Sequence, residues 1–231
     1  MLKFFSLSFI TGFCLGQSND PSQQTNINAL GGLGSNIVRL MGRQYTGMKG
    51  DPYLIKEFRP GKIVLENSSE YANLLINLDL ITNELQVKKS QADVPFLVLK
   101  NQVKQFIINI DFDTILLVRK IDLLKKKNRF CWVSFQNEKA SVLVDNVKQI
   151  NKADNSGAYS LGRDYDEIVD EREYYFLAFN SKEPKSFTLK KKSIAELFPN
   201  ERDKFNSFFN SNLIDLKDQE QLYRLFKFML N

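Results

Sequence analysis

The 231 residues contain no histidine, which removes the commonest general base and metal ligand and, with them, Ser-His-Asp, Cys-His and helical zinc chemistry. Hydrophobic residues make up 43% of the chain and include 19 Phe, enough to bury a sizeable core in one domain. A formal net charge of +5 is mild, and its basic runs, balanced by the acidic stretch "RDYDEIVDERE", read as solvated loops or edge strands, with a weak attraction to anionic lipid or polysaccharide as the alternative; nucleic acid is not indicated.

The first element is an address. Lys3 precedes an apolar run from Phe4 to Phe13, too short to cross a bilayer, and a small-residue exit at Gly16 leads into polar sequence. This reads as a signal peptide over residues 1–16, cut after Gly16. Cys14 as a lipid-attachment site is disfavoured, because Phe13 before it is large. With Cys14 removed, Cys131 is the remaining thiol. It lies in the apolar "RFCWVSF" without a histidine to activate it, and reads as a core residue.

Residues 17–50 are rich in Gln, Asn, Ser and Gly and read as a flexible arm with one helical turn near Ile37 to Met41. The "GGLGSN" within it lacks the Gly-Lys-Ser/Thr ending and the flanking strand of a phosphate loop. Order is expected from "GDPYLIKEFRPGKIVLE", with Pro52 and Pro60-Gly61 marking turns.

Period-2 patterning follows. In "YANLLINLD" and the residue after it, Ala72, Leu74, Ile76, Leu78 and Leu80 share one face while Asn73, Asn77 and Asp79 share the other, which predicts a half-buried antiparallel strand. "TNELQV", "PFLVLK", "VKQFIINIDF", "TILLVRKIDLL", "RFCWVSFQ", "ASVLVDNV", "REYYFLAFN" and "KSFTLKK" are rich in β-branched and aromatic residues and are separated by short polar turns. The fold class is therefore mainly β, α+β overall. It is an antiparallel meander forming a sandwich or partly closed barrel over residues 51–190, followed by a C-terminal helical pair over 191–231. For the pair, Ser193 with Glu196 forms a capping-box pattern, and Asp218 is the N-cap of a helix whose stripe is Leu222, Leu225, Phe226 and Met229.

Between the strands, "NKADNSGAYSLGRDYDEIVDE" is the longest irregular insertion, and long loops tend to carry binding. Asp164, Asp166, Asp170 and Glu171 within it are the candidate metal or partner residues. Hard carboxylate oxygens suit calcium, although the spacing is not that of an EF-hand. Asp111 and Asp113 form a second acidic pair, expected to cap a turn or face water. No other cofactor and no catalytic residue is indicated. The aromatic run Tyr174, Tyr175, Phe176 and Phe179 suits either the core or the wall of a ligand pocket.

The Gly16-Gln17 exit, the Gly50-Asp51-Pro52-Tyr53-Leu54 entry and the ending "KKSIAELFPN" resemble a group of uncharacterised exported β-rich proteins of Gram-negative bacteria. The resemblance implies an envelope location and carries over no activity. The expectation is a non-enzymatic exported protein, periplasmic or peripherally attached to the outer membrane. It would lack a transmembrane segment once cut, and would serve as an interaction or accessory module for an envelope or outer-membrane protein. The alternative is a periplasmic carrier that holds a small apolar or sugar ligand in a barrel-like cavity.

Overall fold

The computed structural model describes residues 38–40, 45, 47–88, 90–110, 115–123, 126–154, 163–181 and 183–231. The expected signal peptide, the glycine-rich segment at 31–36 and the Asp111/Asp113 pair lie outside the described residues. The rest is mainly antiparallel β with a helical C-terminal region, as the patterning predicts. It divides into two compact units, neither continuous in sequence. One holds the described residues of 38–110 and 146–171, the other those of 115–145 and 172–231.

The first unit contains β1 (Val38–Leu40), β2 (Arg59–Leu65), β3 (Glu70–Asp79), β4 (Glu84–Lys88), β5 (Phe96–Val98) and β6 (Val103–Asn109), hydrogen-bonded in the order β1-β5-β4-β3-β2-β6. Residues 38–40 are therefore extended and paired antiparallel with β5, not a helical turn. The end of the arm is also fixed: the Lys49 amide donates to the Asp166 carbonyl at 2.9 Å, and the Ile168 amide donates to the Lys49 carbonyl at 2.8 Å.

Pro60 and Gly61 lie inside β2 and do not make a turn. The missing amide of Pro60 is tolerated because the β6 pairing begins only at Gly61, opposite Ile108. A Cβ on Gly61 would lie 2.3 Å from both the Ile107 carbonyl oxygen and the Ile76 side chain, so only glycine lets these strands approach.

The alternation in β3 holds for Leu74, Ile76 and Leu78, all buried, but Asn77 and Asp79 are buried as well. The segment after Asp51 covers them. The Asn77 side-chain amide donates to the Ile55 carbonyl at 2.7 Å. Asp79 accepts from the Tyr45 hydroxyl at 2.6 Å and from the amides of Ile81 and Thr82, which shapes the β3–β4 turn. Asn83 completes that turn at φ 55°.

The second unit is a meander of β7 (Ile115–Leu123), β8 (Lys126–Gln136), part of β9 (Ala140–Asn151), part of β10 (Glu167–Ala178) and β11 (Lys185–Phe187). In neither unit do the described pairings return to the first strand, so neither forms a closed barrel. Three helices follow: α1 (Lys191–Ala195), α2 (Arg202–Ser211) and α3 (Gln219–Leu230). Ser193 does not cap α1. The helix starts two residues earlier, and the Ser193 hydroxyl accepts from the Thr188 amide. Asp218 does cap α3, accepting from the amides of Glu220 and Gln221. Lys204 near the start of α2 donates to the Met229 carbonyl near the end of α3 at 3.1 Å, so the pair runs antiparallel.

The predicted α3 stripe is buried in full against Phe135, Val142, Val144, Tyr174, Phe176 and Phe187. Phe226 sits at the centre, with Phe176 stacked on it at 6.0 Å and Phe187 and Phe198 at 5.7 and 6.1 Å. A β-bulge aims one strand residue into this cluster. Val133 pairs with Leu143, but the next described partner of Val142 is Phe135, leaving Ser134 as the extra residue. The bulge shifts the alternation of β8 by one, so Phe135 joins the helix-covered face.

Candidate functional site

The opposite face of the second unit's sheet carries the least expected side chains. Alternation places Leu117, Arg119 and Ile121 of β7 on it, and Arg119 pairs directly with Cys131 of β8. Cys131, Val133 and Leu143 form its buried centre, with Leu117, Ile121, Tyr175 and Leu177 packed around them. Cys131 is fully buried, as a core residue should be.

Three polar groups stand at this apolar surface. Arg129 forks onto Asp145, with Nη2 donating to Oδ1 at 2.9 Å and Nε contacting both carboxylate oxygens at 3.2 Å. Asp145 is wholly buried. Tyr175 donates to Glu173 two residues earlier on β10, at 2.7 Å. Burial, followed by the Glu173 carboxylate, pushes the Tyr175 phenol well above its ordinary value. Arg119 is half-buried, and burial alone pushes its guanidinium below the ordinary arginine value. No ion pair or hydrogen bond from Arg119 occurs among the described residues. The sequence carried a signal for this site in "LVRKI": an arginine in phase with the apolar positions of a strand.

The acidic stretch is arranged differently from the expected binding loop. Only Asp164–Asp166 precede the strand; Asp170 and Glu171 belong to β10 and, as neighbours, point to opposite sides of it. Three of the four candidates have separate partners. Asp166 accepts from Lys152 at 2.7 Å and from the Ala153 amide at 2.8 Å, and these bonds hold its carboxyl below the usual range. Asp170 lies 3.5 Å from Lys148, and Glu171 accepts from Gln149 at 2.6 Å. Asp164 is exposed. Among the described residues, no group of three acidic or cysteine side chains could hold a metal ion.

The helical pair bears an aromatic surface patch. The Phe208 and Phe228 rings lie 4.9 Å apart and Phe209 packs beside Phe208, while Phe228 is 39% exposed. Lys191 sits 4.6 Å above the Phe209 ring and Lys204 sits 5.5 Å above Phe228. Leu213, just beyond α2, is fully exposed. Of the aromatic run on β10, Tyr174 and Phe176 are core, Tyr175 faces Cys131, and Phe179 is exposed.

No helix among the described residues is long and apolar enough to cross a membrane. A scan against protein-family models finds no match. No curated protein and no solved structure matches the chain.

Proposed function

We propose that this is an exported, non-enzymatic protein of the cell envelope, periplasmic or peripherally attached to the outer membrane, that works by docking on another envelope protein. The observation that carries this reading is the Phe208–Phe228 patch with Lys191 and Lys204 over its rings. The exposed Phe228 ring, backed by the half-buried Phe208 and Phe209, offers aromatic contact area at little cost in entropy. The lysines that rim it select a partner face that is apolar at its centre and carries carboxylates at its edge. Export rests on Lys3, the apolar run to Phe13 and the exit at Gly16.

The test places a photo-crosslinking residue at Phe228 and, as a control, at Val94, which is exposed on the other unit. In native envelopes, position 228 should give one discrete adduct that disappears when Lys191 and Lys204 are changed to Glu. Equal yields at both positions, or no adduct, would defeat the reading. Intact mass of the exported chain checks the cut: it should begin at Gln17, whereas a diacylglycerol increment on Cys14 would place the protein on a membrane leaflet.

A second reading, a carrier of a small apolar ligand, is favoured by a different observation, the Arg119 face.

A further inference from the structure

On this face, Arg129, Asp145, Glu173 and Tyr175 have complements within the chain, whereas no ion pair or hydrogen bond from the Arg119 side chain occurs among the described residues; the small buried hydroxyl of Ser141 is also unpartnered but carries no charge. Asp145 neutralises Arg129, and Glu173 accepts from Tyr175. Arg119 stands two residues from Leu117 and from Ile121, opposite Cys131, in the most apolar part of the same face. An arginine remains protonated throughout the range in which proteins fold. Its charge is therefore held partly out of water with no carboxylate among the described residues to offset it, which costs stability.

A guanidinium in such surroundings is prepared for an oxyanion, because its paired N–H groups match two oxygens of a carboxylate or phosphate and bind them more strongly away from water. The surface around it is formed by the half-buried side chains of Leu117, Ile121 and Leu177, laid over the buried Val133 and Leu143. These offer nothing to a sugar's hydroxyls and much to a hydrocarbon chain.

We propose that this sheet face binds an apolar molecule ending in one anionic group, a carboxylate or a phosphate, with Arg119 holding the anion and the flanking aliphatic residues covering the chain. The inference deepens the carrier reading and does not depend on the helical patch.

The test uses the purified full chain in calorimetric titration with three probes of equal chain length: a long-chain fatty acid, the corresponding alkyl phosphate, and the fatty acid methyl ester. At least one acid should bind saturably at one site per chain. The ester, which lacks the charge, should bind roughly tenfold or more weakly. Arg119→Leu should bring the acid down to the affinity of the ester and leave the ester unchanged, while Arg119→Lys should recover part of the difference. Whichever acid binds more tightly identifies the headgroup.

Removing the desolvated charge should also leave Arg119→Leu at least as stable as wild type, so loss of binding cannot be attributed to unfolding. Three results would overturn the proposal: no saturable binding by either acid, equal affinity for acid and ester in the wild type, or an Arg119→Leu chain that binds the acid as well as wild type does. A Phe228→Ser chain should bind as wild type. Loss of binding there would move the ligand to the helical patch and also overturn the proposal.

Discussion

Arg129 and Asp145 face each other across β8 and β9 through a two-pronged contact, with the carboxylate entirely removed from solvent. Such a pair adds little over a well-packed apolar substitute, but breaking one half strands the other as a buried charge. Asp145→Ala should therefore cost roughly 3–5 kcal/mol, read as a shift in the urea midpoint. The double variant Arg129→Met with Asp145→Leu should recover much of the loss. If the double variant is as unstable as the single one, the pair does more than neutralise itself.

Gly61→Ala brings a methyl group against the Ile107 carbonyl and the Ile76 side chain, both at 2.3 Å. Overpacking of this kind costs about 1–3 kcal/mol, and here one obstacle is backbone that cannot swing aside. The variant should melt well below wild type, whereas Gly47→Ala, with open space around it, should show only the strain of its positive φ. Equal melting temperatures for the two would contradict the close approach of β2 and β6.

Tyr175 gives an alkaline signature. The folded state raises its pKa by burial and then by Glu173, so the fold holds the phenol proton more tightly than the unfolded chain does. Stability from this source is complete below the unfolded tyrosine value near 10 and is lost as pH rises above it. Tyr53 shifts in the same direction, from burial and from Asp79. Stability measured from pH 9 upward should fall, and should fall less steeply in Tyr175→Phe. A slope unchanged by that substitution would assign the alkaline loss elsewhere.

At the acid end the sign reverses. Lys152 and the Ala153 amide hold Asp166 below the usual carboxylate range. Its contribution is present above the ordinary carboxylate pKa and is lost as pH falls through the folded value. Asp166→Asn should flatten that acid limb. Millimolar calcium should leave the melting temperature unchanged, because Asp170 and Glu171 project to opposite sides of β10. A calcium-dependent rise that vanishes when Asp164 and Asp166 are made neutral would show instead that the stretch rearranges around an ion.

Local rules were legible in the sequence. The period of two located the strands from β3 onward, though not β1 or β2, and the stripe Leu222, Leu225, Phe226, Met229 with its Asp218 cap located α3. What local patterning does not encode is the second layer. Asn77 and Asp79 look solvent-facing until the segment near Ile55 and Tyr45 covers them and supplies their hydrogen bonds. The capping box at Ser193 failed because its hydroxyl has a nearer use, accepting from Thr188. Asp164, Asp166, Asp170 and Glu171, close in sequence, suggested one site, yet the start of β10 at Glu167 leaves two of them before the strand and sets the other two on its opposite faces. Arg129 and Asp145 are 16 positions apart, and only the strand register brings them together.

Phe226 also sets an order of events on the ribosome. The aromatic face it fills is laid down by Phe135, Phe176, Phe187 and Phe198, all made before α3. A nascent chain stopped short of Leu222 holds those four rings around an empty centre, three of them on strands that are otherwise ready to pair. Until the last segment emerges, that surface is adhesive toward its own copies and toward any holding chaperone. The final helix is thus the stopper of its unit, and the interval before it is translated is the stage at which this polypeptide most needs escorting.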